Sequence, residues 1–330
     1  MEKQRLQDAV PPLLAWYRIS KRDLPWRHDR TPYTALVAEL MLQQTRVEAV
    51  RERYVQFLGR FPTAQSLAAA SEDEVLKLWE GLGYYSRARN LHKAAKAIAE
   101  HGFPTTFEGV RALPGVGDYT AGAVCSIALG IPAPAVDGNV LRILSRLYAD
   151  GRCVDEPSIR SEYAALLKEV YPAETADFCE ALMELGAIVC LPNGAPSCGK
   201  CPWQGTCLAH LSGKEERYPV RAEKRARKIV EATVLVLRCK DRYAIEQRPE
   251  GGLLAKLWQF PFFEGTAPDY GAPLAEKRAK HVFTHVEWHM TGKLIEVIEE
   301  LPVYTWATAQ EIRARYALPS AFRAFAAWLK

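Results

Sequence analysis

The chain has 330 residues, 48% hydrophobic and 25% charged, long enough for two domains that each bury a core. A formal net charge of +4 allows a local nucleic-acid patch but excludes a strongly cationic chain. No apolar run can span a bilayer, and the N-terminus MEKQRLQDAV lacks a signal-peptide core. An intracellular protein without membrane contact is expected, cytoplasmic or at the nucleoid if bacterial. Its eight cysteines should then be thiols or metal ligands, not disulfides.

In chain order, Leu6, Val10, Leu13, Leu14 and Tyr17 recur at helical spacing, although Pro11-Pro12 should kink or restart that helix. Leu24-Pro-Trp-Arg27 reads as an extended turn. Thr31-Pro32 then gives a cap and a first-turn proline ahead of YTALVAELMLQQT. Apolar side chains cover nearly the whole of that helix, and Glu39 is its only charge. A carboxyl there should be buried, with a raised pKa. Further helices are predicted over 47–58, 64–70, 72–80, 88–100, 107–113, 138–148, 158–170 and 175–189. The loop Gly81-Leu-Gly-Tyr-Tyr-Ser-Arg87 carries two adjacent aromatics and a basic tail.

The turn Leu113-Pro-Gly-Val-Gly117 separates two helical runs, with Asp118 as the expected N-cap of the second. Helices joined through G-x-G leave glycine amides and helix-end N–H groups free to cradle one phosphate. Asp137 follows, just ahead of the next helix. A phosphate clamp beside a carboxylate suggests chemistry on a nucleic-acid backbone or base. Four cysteines then fall within 18 positions, Cys190-x7-Cys198-x2-Cys201-x5-Cys207, and suit either zinc or an iron–sulfur cluster. Cys125, Cys153, Cys179 and Cys239 read as small core hydrophobes.

From Leu211 to Lys228 seven basic residues face three acidic ones with little apolar content, which reads as a linker, either simply solvated or contacting DNA. Strands first appear from about residue 229, in IVEATVLVLR, DRYAIEQRP, LWQFPFF and KHVFTHVEWHM, followed by helices at 311–316 and 320–329.

The stretches AELMLQQTRVEAV, GLGYYSRARNLHKAA, LPGVGDYTAGAV and AVDGNVLRILSRL, with the cysteine loop, resemble the helix–hairpin–helix DNA glycosylases of the endonuclease III superfamily. Within it the details are similar to the MutY-type adenine DNA glycosylases, and GLLAKLWQFP and HVFTHVEW extend the likeness to the C-terminus. The resemblance implies a multidomain protein. An all-α glycosylase domain would span 1–212, with its hairpin at 107–130 and an iron–sulfur loop at 190–207. A basic linker would follow at 213–228, and a C-terminal α+β Nudix-like domain at 229–330. It also implies a [4Fe–4S] cluster on Cys190, Cys198, Cys201 and Cys207. The family spaces the first two cysteines by six residues and this chain by seven, which a Pro/Gly loop can absorb.

The implied reaction is removal of adenine from A:8-oxoguanine or A:G mispairs in duplex DNA, by a monomeric enzyme of base excision repair. Adenine leaves once N7 is protonated, and the oxocarbenium-like sugar left behind needs an anion. Two carboxylates with separated pKa values are therefore required. Glu39 suits the acid. Asp137 suits the anion, since a helix N-terminus should keep it ionised. In the bifunctional relatives the position of Tyr119 is a lysine that attacks the sugar; a phenol cannot form that Schiff base, so a monofunctional enzyme is expected. Tyr119 and Asn139 are assigned positioning roles at the sugar. The rivals are an endonuclease III-type glycosylase/lyase and a non-catalytic iron–sulfur DNA-binding protein.

Flipping the adenine requires wedge and phosphate contacts. The resemblance assigns DNA contact to Gln44, Thr45, Leu82, Tyr84 and Arg87 and to the hairpin residues Gly115, Val116 and Gly117. Phe283-Thr284-His285 matches the family's Phe-Ser-His loop that senses the oxidised base, with a methyl added beside the hydroxyl. No stretch carries the Glu-rich Nudix pyrophosphatase box, so the C-terminal domain is expected to recognise rather than hydrolyse.

Overall fold

The computed structural model describes residues 2–223 and 226–330; Lys224 and Arg225 of the expected linker lie outside the described residues. The chain divides into two compact units: Met1–Ala68 with Lys93–Glu223, and Ala69–His92 with Lys224–Lys330.

The helices in chain order are α1 (Lys3–Ser20), α2 (Pro32–Leu42), α3 (Val47–Arg60), α4 (Ala64–Ala68), α5 (Glu72–Leu78), α6 (Ser86–His101) and α7 (Phe107–Arg111). They continue as α8 (Asp118–Ala128), α9 (Gly138–Tyr148), α10 (Pro157–Glu169), α11 (Thr175–Ile188) and α12 (Leu208–Leu211). α1 runs on through Pro11 and Pro12 as one helix, without the restart that was the alternative to a kink. Its buried stripe of Leu6, Val10, Leu13, Leu14 and Tyr17 packs into a core built with α9, α10 and α11, and this packing outweighs the hydrogen bonds that two prolines forgo. Gly117, not Asp118, is the N-cap of α8; Asp118 is the first helical residue and pairs with Arg111.

The second unit holds a seven-stranded sheet: β1 (Lys228–Cys239), β2 (Arg242–Gln247), β3 (Trp258–Gln259), β4 (Phe262–Glu264), β5 (Ala275–Val282), β6 (Val286–Glu296) and β7 (Thr305–Thr308). β1 and β6 pair in parallel along Lys228–Arg238 and Val286–Glu296, and β5 turns back antiparallel on β6. The run read as one strand over 280–290 is thus two strands, and Phe283-Thr284-His285 is the turn between them. Short helices α13 (Ala309–Arg315) and α14 (Arg323–Ala326) close a core around Phe260, Trp288, Phe322 and Phe325. The helical segment 69–92 belongs with this sheet: Lys77 Nζ donates to the Tyr316 carbonyl at 3.1 Å, and Glu80 accepts from the Leu318 amide at 3.2 Å.

The first part of the basic linker is not a free connector. Arg146 Nε donates to the Glu215 and Tyr218 carbonyls, each at 3.0 Å, and the Val154 amide donates to the Val220 carbonyl at 3.0 Å. Asp155 accepts from Arg221 at 2.9 Å and from the Ala222 amide at 3.0 Å. Charged side chains alone do not reveal this, because the anchors are mostly backbone carbonyls.

Candidate active site

Thr31 caps α2 by accepting the Thr34 amide, and Pro32 occupies its first turn, so the helix starts where sequence places it. Every residue from Tyr33 to Met41 is buried, Glu39 among them at 5% exposure. Burial pushes the Glu39 carboxyl up to about 7; the nearby charges of Asp137 and Glu180 add to the rise, and a hydrogen bond from Tyr119 opposes it. That bond runs from Tyr119 Oη to Glu39 Oε2 at 2.8 Å and joins the second residue of α8 to the middle of α2.

Asp137 is the N-cap of α9. Its carboxylate accepts the Val140 amide at 2.8 Å through Oδ1 and Asn139 Nδ2 at 2.8 Å through Oδ2. Asn139 is fixed in turn by Arg142 Nη2, which donates to its Oδ1 at 2.8 Å and to the Gly186 carbonyl at 2.8 Å. Arg142 Nε reaches the Cys190 carbonyl at 2.7 Å, so one buried guanidinium ties the cap to the start of the cysteine loop. Sequence reasoning expected the helix end to keep Asp137 ionised. Burial works against this and raises its pKa, while the Val140 and Asn139 hydrogen bonds and Arg142 favour the anion.

Gly186 of α11 lets α9 approach this closely. A Cβ there would lie 2.5 Å from Asn139 Cβ and 3.2 Å from its Cα. Backbone cannot yield as a flexible side-chain end would, so Gly186→Ala is expected to destabilise the fold by about 1–3 kcal/mol. A denaturant melt checks this; an unchanged midpoint would mean that α9 and α11 separate freely.

Glu39, Tyr119, Asp137 and Asn139 line one cavity with Leu24, Trp26, Thr45 and Met183. Its remaining wall was missed from sequence. Glu184, 1% exposed, accepts Arg22 through its amide and guanidinium at 2.8–2.9 Å, and Arg27 Nη2 at 2.9 Å. Burial opposes its ionisation, but these hydrogen bonds prevail and hold it down at about 2. One turn earlier, Glu180 accepts Tyr17 Oη at 2.5 Å and pairs with Arg30, yet burial keeps its pKa raised. The signal that exposed Glu39 was present here too: Glu180 and Glu184 lie within the apolar run that follows Asp177 on TADFCEALMELGAI.

In the hairpin, Gly115 takes φ +77°, a left-handed conformation that glycine adopts freely, and Val116 is buried while Gly117 is extended. Gln44 also has positive φ, and it is the neighbouring Gln43 that donates to Thr120 at 2.9 Å.

The other predicted residues lie in the second unit, around a separate cavity lined by Leu82, Tyr84, Phe283, Thr284 and His285. Tyr84 is 47% exposed and its hydroxyl lies 2.9 Å from Thr284 Oγ1, whereas Tyr85 is buried. Leu82 is also buried, at 5% exposure. Arg87 does not present its charge outward: it is 7% exposed, donates to the Leu82 and Gly83 carbonyls at 3.1 Å, and lies over the Trp79 and Tyr84 rings. It shapes the loop from within.

All eight cysteines are free thiols. Cys125, Cys179 and Cys239 are buried as expected, while Cys153 is only half-buried. Cys190, Cys198, Cys201 and Cys207 line one cavity in the first unit. Arg146 Nη1 donates to Cys190 Sγ at 3.2 Å, and Cys207 Sγ lies 3.3 Å from the Arg146 carbonyl. Burial, with the charges of Glu215, Cys190 and Cys207, pushes Cys198 up to about 11, and burial with the charges of the other three thiols pushes Cys201 up to about 12. Four cysteine sulfurs lining one shared cavity fit a cationic centre bound through thiolate.

Residues 37–169 match the HhH-GPD superfamily of base excision DNA repair proteins, and residues 232–328 match the NUDIX domain. The adenine DNA glycosylase of Buchnera aphidicola subsp. Schizaphis graminum is 36% identical over 257 residues, covering 76% of this chain and 74% of that protein. The adenine DNA glycosylase of Schizosaccharomyces pombe is 34% identical over 80% of this chain and 70% of its own length. The human adenine DNA glycosylase is 36% identical over 76% of this chain, but only 56% of its own length is spanned. Among solved structures, a thermostable thymine-DNA glycosylase superposes with a TM-score of 0.58 at 27% identity, over 63% of this chain and 98% of that one. A trapped endonuclease III–DNA covalent intermediate shares the fold, at 23% identity and a TM-score of 0.54, over 64% of this chain and 99% of that one. Among the described residues no helix is long and apolar enough to cross a membrane.

Proposed function

Because the chain belongs to the adenine DNA glycosylase family, we propose that its two-carboxylate cavity excises adenine mispaired with 8-oxoguanine or guanine in duplex DNA. The observation that carries this reading is Glu39: buried, pushed up to about 7, and sharing one cavity with Asp137. At neutral pH a large share of Glu39 holds a proton. The Tyr119 hydrogen bond engages Oε2, leaving Oε1 to carry that proton toward adenine N7.

As the N-glycosidic bond breaks, its electron pair goes to the base and positive charge grows on the sugar. Asp137 supplies the compensating anion, held in place by the Val140 amide and Asn139. Water then adds to the sugar. Tyr119 offers a phenol and no amine at the hairpin position, which supports base release without strand cleavage. The hairpin amides hold a backbone phosphate while the base is flipped. Tyr84 and Thr284, already joined by a hydrogen bond, are the proposed readers of the opposite base.

Cys190, Cys198, Cys201 and Cys207 would hold a [4Fe–4S] cluster, which when bound supplies a rigid sulfur-ligated anchor for the loop after α11. Arg142 links that loop to Asn139.

With a duplex carrying one adenine opposite 8-oxoguanine, the protein is expected to release free adenine and leave the strand intact until hot alkali is added. Nicking without alkali, or borohydride trapping through a lysine on an abasic-site duplex, would contradict the monofunctional reading.

A further inference from the structure

Besides the four thiols, two more metal-ligating side chains line the cysteine cavity, His210 and Glu215. Cys207 is the N-cap of α12, which lasts a single turn before the Gly213 amide bonds to His210 and the Lys214 amide to Ala209. This reversal brings Glu215 back over the loop, where Arg146 fixes its carbonyl at 3.0 Å. Its carboxylate is held by His210 Nδ1 at 2.6 Å and lies 3.7 Å from Cys198 Sγ. One ligand atom from each of Cys198, His210 and Glu215 fits within 4.8 Å of the others. Cys190 and Cys207 instead meet Arg146, and among the described residues no other carboxylate or imidazole lines this cavity.

We infer that Glu215 is a reserve iron ligand for the corner held by Cys198, with His210 positioning its carboxylate. The inference rests on the reading that the four cysteines hold a [4Fe–4S] cluster. If the Cys198 thiolate is lost, an Fe–S bond is replaced by an Fe–O bond. One monoanion replaces another, so the charge of the ligand set is conserved, and carboxylate oxygen is an accepted ligand for iron. Among the described residues, Cys198 is the one cysteine of the four whose sulfur falls in such a close group with a carboxylate and an imidazole.

The test is iron content with absorbance and electron paramagnetic resonance of the reduced protein, which read the ligand set without reference to activity. Wild type is expected to be brown with about four irons per chain; a colourless wild type would overturn the cluster reading itself. Glu215→Ala alone should match wild type, because its backbone anchor to Arg146 is untouched. Cys198→Ala should keep most of its iron, with an altered resonance spectrum. Cys198→Ala/Glu215→Ala should fall to the iron-poor level of Cys201→Ala. Cys198→Ala as iron-poor as Cys201→Ala, or a double variant as iron-rich as Cys198→Ala, would overturn the reserve-ligand assignment.

Discussion

Glu39→Gln is expected to lower single-turnover adenine release by about 10²–10⁴-fold, the range for a positioned general acid, with duplex affinity unchanged. Glutamine preserves shape and can still accept the Tyr119 hydroxyl, but it has no acidic proton to give. Wild-type release should depend on pH through the same group. A carboxyl pushed up to about 7 is protonated below that value, so the rate should fall as pH rises through 7. Further up, the decline approaches about tenfold per pH unit. Glu39→Gln should lose this limb along with the activity.

The variant should also be more stable than wild type in alkali. A carboxyl whose folded pKa is raised from 4.5 to about 7 makes ionisation cost stability, a loss that develops between those two values and is complete above 7. The rise corresponds to on the order of 3 kcal/mol. Glu39→Gln should therefore melt higher than wild type at pH 8 and lose that advantage at pH 4. A binding protein with no use for the proton would have no reason to keep so costly a buried acid.

Asp137→Asn is the second large effect, a loss of about 10²–10³-fold, as for removal of a preorganised electrostatic group. The substitution leaves one carbonyl oxygen to accept the Val140 amide, so α9 keeps most of its cap. What disappears is the anion facing the sugar. In addition, a new NH2 group opposes Asn139 Nδ2, which now donates to Asp137 Oδ2. The protein should fold and bind duplex DNA while releasing base at that reduced rate. Because burial raises the Asp137 pKa, the acidic limb of the wild-type pH profile should lie above the ordinary aspartate range.

Much of this site was legible in the sequence because its residues break local patterns. Glu39 is the one charge on an apolar helix, Asp137 stands where a helix must begin, and the cysteines are too dense to be unrelated. The Thr31 cap and Pro32 fix the start of α2 for reasons that need no tertiary structure. What was not legible depends on partners distant in sequence. Arg22 and Arg27 bind Glu184 across more than 150 positions, so their pairing could not be read from spacing. Arg87 looked like the basic tail of its loop and is buried, because it satisfies the carbonyls of its own tight turn. The upward pull of burial on Asp137 was not legible either, because it comes from packing around the helix end and not from the helix end itself. Residues 280–290 read as a single strand because no Gly, Pro, Asn or Asp marks the Phe283–His285 turn that splits them into two.

The central claim, that a buried acid and a capped anion release mispaired adenine, is tested most directly by single-turnover release from duplexes with adenine opposite 8-oxoguanine, guanine, thymine or cytosine. Release should be fastest opposite 8-oxoguanine, slower opposite guanine, and slowest opposite the pyrimidines. Equal rates on all four duplexes, or no free adenine from any of them, would contradict it.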